Sequence, residues 1–330
     1  DGKVGLGETY GARRTLAGLR EAADALIGMD VFHLNDLRRR VLEALPNGGG
    51  VNAPTALADH KLVDVVYSAF EVACLDLQGK ILNRSVSDLL GGAVRTQVRF
   101  GAYLFYKFAK PSDQPGEDIF GEVITPDAMV AEASELVARH GFRSLKLKGG
   151  VLEPELEVET LVKLKEAFPE HPLRIDPMGA WKVETAIALS RRLESVLEYL
   201  EDPAKGMDGM AAVAPFSPLP LATNLVVVEF EQIFEALRKG AVQIILSDHH
   251  YWQGMTGAVR LGRICQAAGL GVSMHSNSHL GISLAAMTHV AACTPTLTFD
   301  ADTHYPWKRD DVVKGGNVTF KNGALPVPTG

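Results

Sequence analysis

Cysteine is scarce in this chain: three in 330 residues, Cys74, Cys265 and Cys293. An odd, scattered set without ligand-like spacing excludes a disulfide scaffold or a thiolate metal site and fits buried thiols in a reducing cytoplasm. Positive charge is also in short supply, with 33 lysines and arginines against 40 acidic residues and a net charge of −7. Phosphate backbones need a cationic face, so a nucleic-acid partner is not expected, and a small anionic substrate would need a local positive site. No apolar run approaches a membrane span, and the first residues lack the basic-then-apolar order of a signal segment, so neither membrane insertion nor export is expected. No Gly-x-Gly-x-x-Gly follows the strand-like run at 98–106, which argues against a dinucleotide-binding open sheet.

What is present reads as an α+β unit followed by a regular alternation. Residues 1–11 suggest a hairpin turn and a strand, 13–45 have helical periodicity, and Gly48-Gly49-Gly50 with Pro54 marks a loop before a helix at 61–82. This first unit spans 1–97. From Val98 the strands fall at 98–106, 144–148, 173–176, 197–201, 220–224, 242–248, 271–276 and 296–301. The helices between them include 126–140, 155–168, 183–195, 229–239, 255–268 and 280–292. Eight strands alternating with helices predict a parallel sheet closed as a (β/α)8 TIM-type barrel over 98–310, with 311–330 leading back toward the first unit.

In such a barrel the chemistry sits at the C-terminal ends of the strands. Three successive strands stop at a hard oxygen donor, Asp176, Glu201 and Asn224, a set that suits a divalent cation such as magnesium. Each phrase alone, Asp176-Pro177 or Glu201-Asp202-Pro203, is an ordinary turn opener; their common position is what points to a metal. Lys146 and Lys148 lie two apart on one strand and so face the same way, forming a positive site for a carboxylate, and clustered cations depress one another's pKa enough for one to act as a base. His275 ends another strand, where Asp248 from the neighbouring strand end can take its second N–H, the arrangement of a general base. Asn277, Asp302 and His304 complete the ring; His249, His250 and His279 have weaker claims.

Seven phrases occur in order: Lys146-Leu147-Lys148-Gly149-Gly150, Asp176-Pro177-Met178-Gly179-Ala180-Trp181, Glu201-Asp202-Pro203, Ala222-Thr223-Asn224, Asp248-His249-His250-Tyr251-Trp252, Met274-His275-Ser276-Asn277-Ser278-His279 and Asp302-Thr303-His304. Together they resemble the glucarate dehydratase subgroup of the enolase superfamily, of the mandelate racemase and muconate lactonizing enzyme type. The resemblance implies an α+β capping domain on the barrel, of which this sequence would lack the first strand and the returning segment. It implies that Asp176, Glu201 and Asn224 hold Mg2+, that Lys148 is the base on one face of an acid sugar and that His275, oriented by Asp248, is the base on the other. Lys146 would lie against the substrate carboxylate and help keep Lys148 neutral. Asn277, Asp302 and Ser276 would be polar contacts, His304 would sit near the substrate hydroxyls, and Tyr103 and Phe105 would line the pocket. The activity implied is dehydration of an aldarate to a keto-deoxy acid by a cytoplasmic homo-oligomer. One departure bears on the substrate: Met178 stands where the subgroup has asparagine, which removes a hydrogen-bonding group and puts D-glucarate itself in question. Racemisation or epimerisation on the same two bases, or a non-catalytic relative, are the alternatives.

Overall fold

The computed structural model describes residues 2–46, 61–109, 121–276, 279–314 and 318–329. The first unit is helical: α1 (Arg13–Ala25), α2 (Leu34–Ala44), α3 (Leu62–Leu82) and the single turn α4 (Val86–Leu89). The continuous helix expected over 13–45 is interrupted, because Asp30 turns the chain between the two halves, its carboxylate accepting from Phe32 N (2.9 Å) and its carbonyl from His33 N (3.0 Å). The strand expected within residues 1–11 is not formed among the described residues 2–11. That stretch lies along α3 instead, with Leu6 N–H donating to Asp76 (2.8 Å), and a Cβ at Gly5 or Gly7 would stand 2.0 Å from the carbonyl oxygen of Ala73 or Ala69. Helix α3 is apolar nearly all round because it is covered on two sides. Val66 and Tyr67 pack with Ala22, Leu37 and Val41 of α1 and α2, while Val65, Val72 and Leu75 join the core of the barrel.

The alternation begins at β1 (Gln97–Phe105) and continues as α5 (Pro126–His140), β2 (Leu145–Lys148), α6 (Pro154–Ala167), β3 (Leu173–Asp176), α7 (Val183–Arg192) and β4 (Leu197–Glu201). It goes on through α8 (Gly206–Val213), β5 (Leu221–Thr223), α9 (Phe230–Lys239), β6 (Ile244–Ser247), α10 (Gly254–Ala268), β7 (Gly271–Met274), α11 (Gly281–Ala292) and β8 (Ala301–Thr303). The strands are parallel in the order β7-β6-β5-β4-β3-β2-β1-β8. The ring is brought nearly closed where Val272 bridges Leu297 and the Ser273 hydroxyl donates to the Asp300 carbonyl (3.3 Å). This is the (β/α)8 barrel the alternation predicts. The last strand is displaced from its expected place at 296–301: that segment crosses beside β7, and only Ala301-Asp302-Thr303 pairs with Phe100-Gly101-Ala102 of β1. Near the C-terminus β9 (Ala324–Pro326) runs antiparallel to the start of β1. Among the described residues no helix is long and apolar enough to cross a membrane.

Strand alternation sorts the side chains into two sets. Leu145, Leu147, Leu173, Ile175 and Leu200 belong to the large core shared with the helices, whereas Tyr199, Ala222, Ile244 and Leu246 form a separate cluster inside the ring with Phe299. The register sets Lys146 beside Arg174, Lys148 beside Asp176 and Arg174 beside Tyr199. Lys-x-Lys, Arg-x-Asp and Tyr-x-Glu thus place polar groups on the interior face while their apolar neighbours face the helices.

The loop after β2 is tied down tightly. Glu157 of α6 accepts from Gly150 N (3.1 Å), Val151 N (2.9 Å) and Leu152 N (3.1 Å). Gly150 has φ +73, and a Cβ there would lie 2.3 Å from the Pro177 carbonyl oxygen. Gly150→Ala is therefore expected to lower stability by about 1–3 kcal/mol, through a backbone conformation that favours glycine and the displacement of the 177–180 turn. An unchanged midpoint in urea denaturation would rule out this close approach.

Candidate active site

At the C-terminal ends of β2, β3, β4 and β8 charged side chains meet, most of them buried. Lys146 is 1% exposed; its ammonium lies 2.5 Å from Glu201 Oε2, 2.6 Å from Asp302 Oδ2 and 4.0 Å from Asp176 Oδ2. Lys148 pairs with Asp176 Oδ2. Both ammoniums sit over the Tyr103 ring, at 4.9 and 5.9 Å from its centroid. Arg174, one layer deeper, donates to the Asp300 carbonyl (2.6 Å), pairs with Glu198 and approaches Asp302 Oδ1 (3.5 Å). Nothing in the sequence singled out Arg174, although its place two residues before Asp176 puts it on the same face.

The electrostatics follow from this crowding. Burial alone would lower the Lys146 pKa, but Asp302 and Glu201 outweigh it and hold the ammonium well above its ordinary value. For Lys148 burial likewise pulls down and Asp176 wins, so its proton is held more tightly than in water. The expectation that the two lysines depress one another is thus reversed here: Lys146 does act on Lys148 in that direction, but the bonded carboxylate of Asp176 is the larger influence. Burial pushes Asp176 up, yet Lys148 and Lys146 bring it below the usual carboxylate range. Glu201 goes the other way, raised well above it by burial, with Asp176 and Asp302 adding to the effect against Lys146.

That imbalance is what a cation site presents. Asp176, Glu201 and Asp202 each offer an oxygen within 4.8 Å of one another, and all three are fully buried. Asn224 is brought to the same place, its Nδ2 donating to Glu201 Oε1 (2.8 Å). Asp202, overlooked in the sequence beside Glu201, builds this corner. It accepts from the Thr223 hydroxyl (2.5 Å), Asn224 N (2.8 Å) and Leu225 N (3.1 Å), and so fixes the end of β5. Its backbone is in the left-handed region at φ +37, as is that of Met178 at +55, a strain common at functional sites. An all-oxygen, acid-rich donor set fits a hard divalent ion better than zinc or copper. Met178 N donates to Asp176 Oδ1 (2.9 Å) while its side chain is 46% exposed.

The second half of the site lies on β6, β7 and β8. His275 Nδ1 is 3.3 Å from Asp248 Oδ2, the neighbouring strand-end pairing expected from the sequence. Burial works to raise Asp248, but His250 and His275 contacts keep it well below the usual range. Ser276 Oγ accepts from His304 N (3.1 Å) and lies within hydrogen-bond distance of His304 Nδ1 and His279 Nε2. His304 packs on Tyr103 (4.6 Å) and Phe105 (5.2 Å). Its pKa is held well down by burial first and then by His275, His279, Lys146 and Lys148, which marks it as the link between the two halves. Asn277 lies outside the described residues.

Fold and site together define a (β/α)8-barrel enzyme with carboxylates, lysines and a His–Asp pair at the C-terminal ends of its strands. Residues 128–330 match the enolase C-terminal domain-like family, and the chain belongs to the enolase superfamily. It is 50% identical to a protein of Streptomyces coelicolor named "Probable glucarate dehydratase", over 99% of this chain and 78% of that one. Among solved structures it is similar to an enolase of Mycobacterium smegmatis complexed with tartrate, at 50% identity and a TM-score of 0.92, covering 98% of this chain and 77% of the other. An enolase of Pseudomonas fluorescens Pf0-1 with bound magnesium, potassium and tartrate superposes with a TM-score of 0.95 at 46% identity, covering 98% and 78%.

The buried histidines give the site a pH signature. Burial, followed by the nearby His250, lowers the His279 pKa to about 3 from 6.5. The unfolded chain therefore binds a proton on this group at a pH where the folded one does not. The resulting stability is full above pH 6.5 and is lost as pH falls toward 3, with a slope of about 1.4 kcal/mol per pH unit. His279→Gln is expected to flatten the stability–pH curve between those limits in urea titrations; an identical slope would mean that His279 is charged in the folded state.

Proposed function

We propose that this chain is a Mg2+-dependent acid-sugar dehydratase that removes the proton α to a carboxylate and eliminates a β-hydroxyl to give a keto-deoxy acid. The observation that carries the reading is the joining, at one barrel end, of a buried acid cluster short of positive charge, a lysine on its edge and a histidine paired to a carboxylate. The 50% identity to a protein named as a probable glucarate dehydratase supports the reaction class. Tartrate, a small hydroxylated diacid, is named in two of the similar structures and supports a diacid substrate.

Asp176, Glu201 and Asn224 would hold the ion, with Asp202 fixing Asn224. A bound Mg2+ supplies positive charge beside the substrate carboxylate, whose oxygens become more negative as the α-carbon is deprotonated. Lys148 Nζ is the proton-transfer group on one face. His275 Nε2 serves the other face, either taking the α-proton or giving a proton to the departing hydroxyl. Lys146 binds the substrate carboxylate from the side of Glu201 and Asp302, Tyr103 and Phe105 line the pocket, and His304, packed on both rings, sits near the substrate hydroxyls. Met178, exposed at the mouth with a thioether in place of an amide, is the group by which we expect the preferred stereoisomer to differ from D-glucarate.

Cation binding has a readout independent of turnover. Mg2+ is expected to raise the melting temperature, by the equivalent of about 2.7 kcal/mol at a hundredfold excess over its Kd. Glu201→Gln should remove most of that shift, and a wild-type chain indifferent to Mg2+ would sink the metal assignment.

The reaction is tested by NMR in D2O with Mg2+ and a panel of diacid sugars that includes D-glucarate. A keto-deoxy acid is the expected product, and His275→Asn should slow its formation by about 10²–10⁴-fold. Deuterium entering the substrate without loss of water would favour the epimerase reading, which the presence of groups on both faces also allows. Silence across the panel from a folded, Mg2+-binding chain would favour a non-catalytic relative.

A further inference from the structure

We propose that His249, Ser283 and His250 form a one-way hydrogen-bond chain that ends on Asp248 and fixes the His275 ring with Nε2 as its proton acceptor. His250 and Ser283 are then positioning residues for the reaction. The proposal rests on the function read above only for the role of His275.

The chain follows from counting protons. Asp248 Oδ1 accepts from His250 N (2.7 Å) and faces His250 Nδ1 (2.9 Å). Asp248 Oδ2 faces His275 Nδ1 (3.3 Å) and accepts from the Tyr10 hydroxyl (3.4 Å). An ionised carboxylate has no proton to give, so both rings must be donors at Nδ1. A neutral His250 then has a lone pair at Nε2, which stands 3.2 Å from Ser283 Oγ. The same oxygen is 3.2 Å from His249 Nε2. A hydroxyl has one hydrogen and cannot donate to two rings, so His249 must donate to Ser283 and Ser283 to His250. His249 is neutral in this arrangement, in line with the burial that holds its pKa far below the ordinary value.

All four members are nearly sealed from solvent: His249 and His250 are 2% exposed, Ser283 1% and Asp248 3%. In such a place a hydrogen bond is strengthened by its neighbours and a missing one is costly. The chain is also clamped from outside. Glu8 accepts from Leu280 N (2.5 Å) and Ser283 N (2.9 Å), which sets the first turn of α11, and the Tyr10 ring packs on His250 at 4.6 Å. Asp248, His249 and His250 could by spacing alone hold a metal ion. Their ligand atoms are already engaged, however: Asp248 Oδ1 with His250 Nδ1, and the Nε2 of both rings on Ser283.

The consequence is a single direction of polarity. Protons point from His249 toward Asp248, the carboxylate is held with Oδ2 toward His275, and the His275 Nε2 lone pair is left for the substrate. Without Ser283 or the His250 ring the carboxylate is held less firmly, by the His250 N–H and the Tyr10 hydroxyl, and His275 gains access to the opposite tautomer, which carries a proton where the acceptor is needed.

The test uses the full chain labelled with 15N-histidine, with long-range 1H–15N spectra recorded with and without Mg2+ and rings assigned by single-histidine variants. Expected are Nδ1–H forms for His250 and His275 and the Nε2–H form for His249. Ser283→Ala and His250→Phe should turn His275 into a tautomer mixture, and His250→Asn, which keeps an N–H toward Asp248, should restore it. In turnover of D-glucarate, or of whichever diacid sugar the wild type accepts, Ser283→Ala and His250→Phe should lower kcat by about 10–100-fold with KM within about twofold. His250→Asn should recover most of the loss. An Nε2–H or imidazolium His250 at neutral pH, or a His275 tautomer unmoved in both variants, would overturn the chain. A wild type silent on all diacid sugars would remove the proposed function and leave the spectra to decide the chain.

Discussion

Charge balance among buried groups is the constraint on which this structure depends. Asp176, Glu201, Asp202 and Asp302 are all buried at the mouth of the barrel, and among the described residues the cations paired with Asp176, Glu201 and Asp302 are Lys146, Lys148 and Arg174. An unpaired buried carboxylate costs several kcal/mol, so the strands that carry these acids must sit where each can reach a cation or several N–H donors. Lys146 does most of this, since its one ammonium ties β2 to β4 and β8. Asp202 reaches the same end through a hydroxyl and two backbone N–H groups. Even so, burial and the neighbouring Asp176 push its pKa up to about 7. A cluster in which Glu201 and Asp202 resist ionisation beside an ionised Asp176 is poised to accept further positive charge.

The unit ahead of the barrel uses its carboxylates differently. Glu71 of α3, wholly buried and raised by that burial, accepts from Met255 N (2.9 Å), Thr256 N (3.0 Å) and the Thr256 hydroxyl (2.8 Å) at the start of α10. Glu8 does the same for α11. The first N–H groups of a helix have no partner within it, and an acid there meets both the orphan donors and the helix dipole. These are the two helices that follow the strand ends carrying Asp248 and His275. The N-terminal unit therefore bears on the His–Asp half of the site, whereas among the described residues the acid cluster on the other half is assembled by the barrel.

Much of this was legible in the sequence because strand periodicity and strand ends are local signals. Lys146-x-Lys148 and Asp176 revealed the interior face, and seven of eight strands fall within a few residues of their expected places. Helix α8 was missed because Gly206-Met207-Asp208-Gly209-Met210-Ala211-Ala212-Val213 is short and has two glycines that weaken any helical reading. The last strand was drawn too early because Leu297 and Phe299 are apolar for another reason, the bridge to Val272 and the Tyr199 ring. Tyr10 and Ser283 could not be found at all. They lie 238 and 33 residues from their partners on the Asp248 corner, and no periodicity carries such a contact. The lysine acidities were misjudged for a related reason. Spacing along one strand shows which cations are neighbours, whereas the opposing carboxylates come from three other strands.

The two halves of the site keep their protons by opposite means, and this suggests how they divide the work. On the His275 side the proposed chain points its N–H groups toward Asp248, so the acceptor atom would be set by hydrogen bonding and would not depend on an ion. On the Lys148 side the proton is held by Asp176, the same carboxylate that the proposed reading gives to the cation. A cation held at Asp176 would weaken that carboxylate's claim on the Lys148 proton and would also make the α-proton of a nearby substrate carboxylate more acidic. One carboxylate shared between a cation and a lysine would thus couple substrate activation to base activation, a coupling that the His275 side, with no ligand of the cation among its partners, does not require.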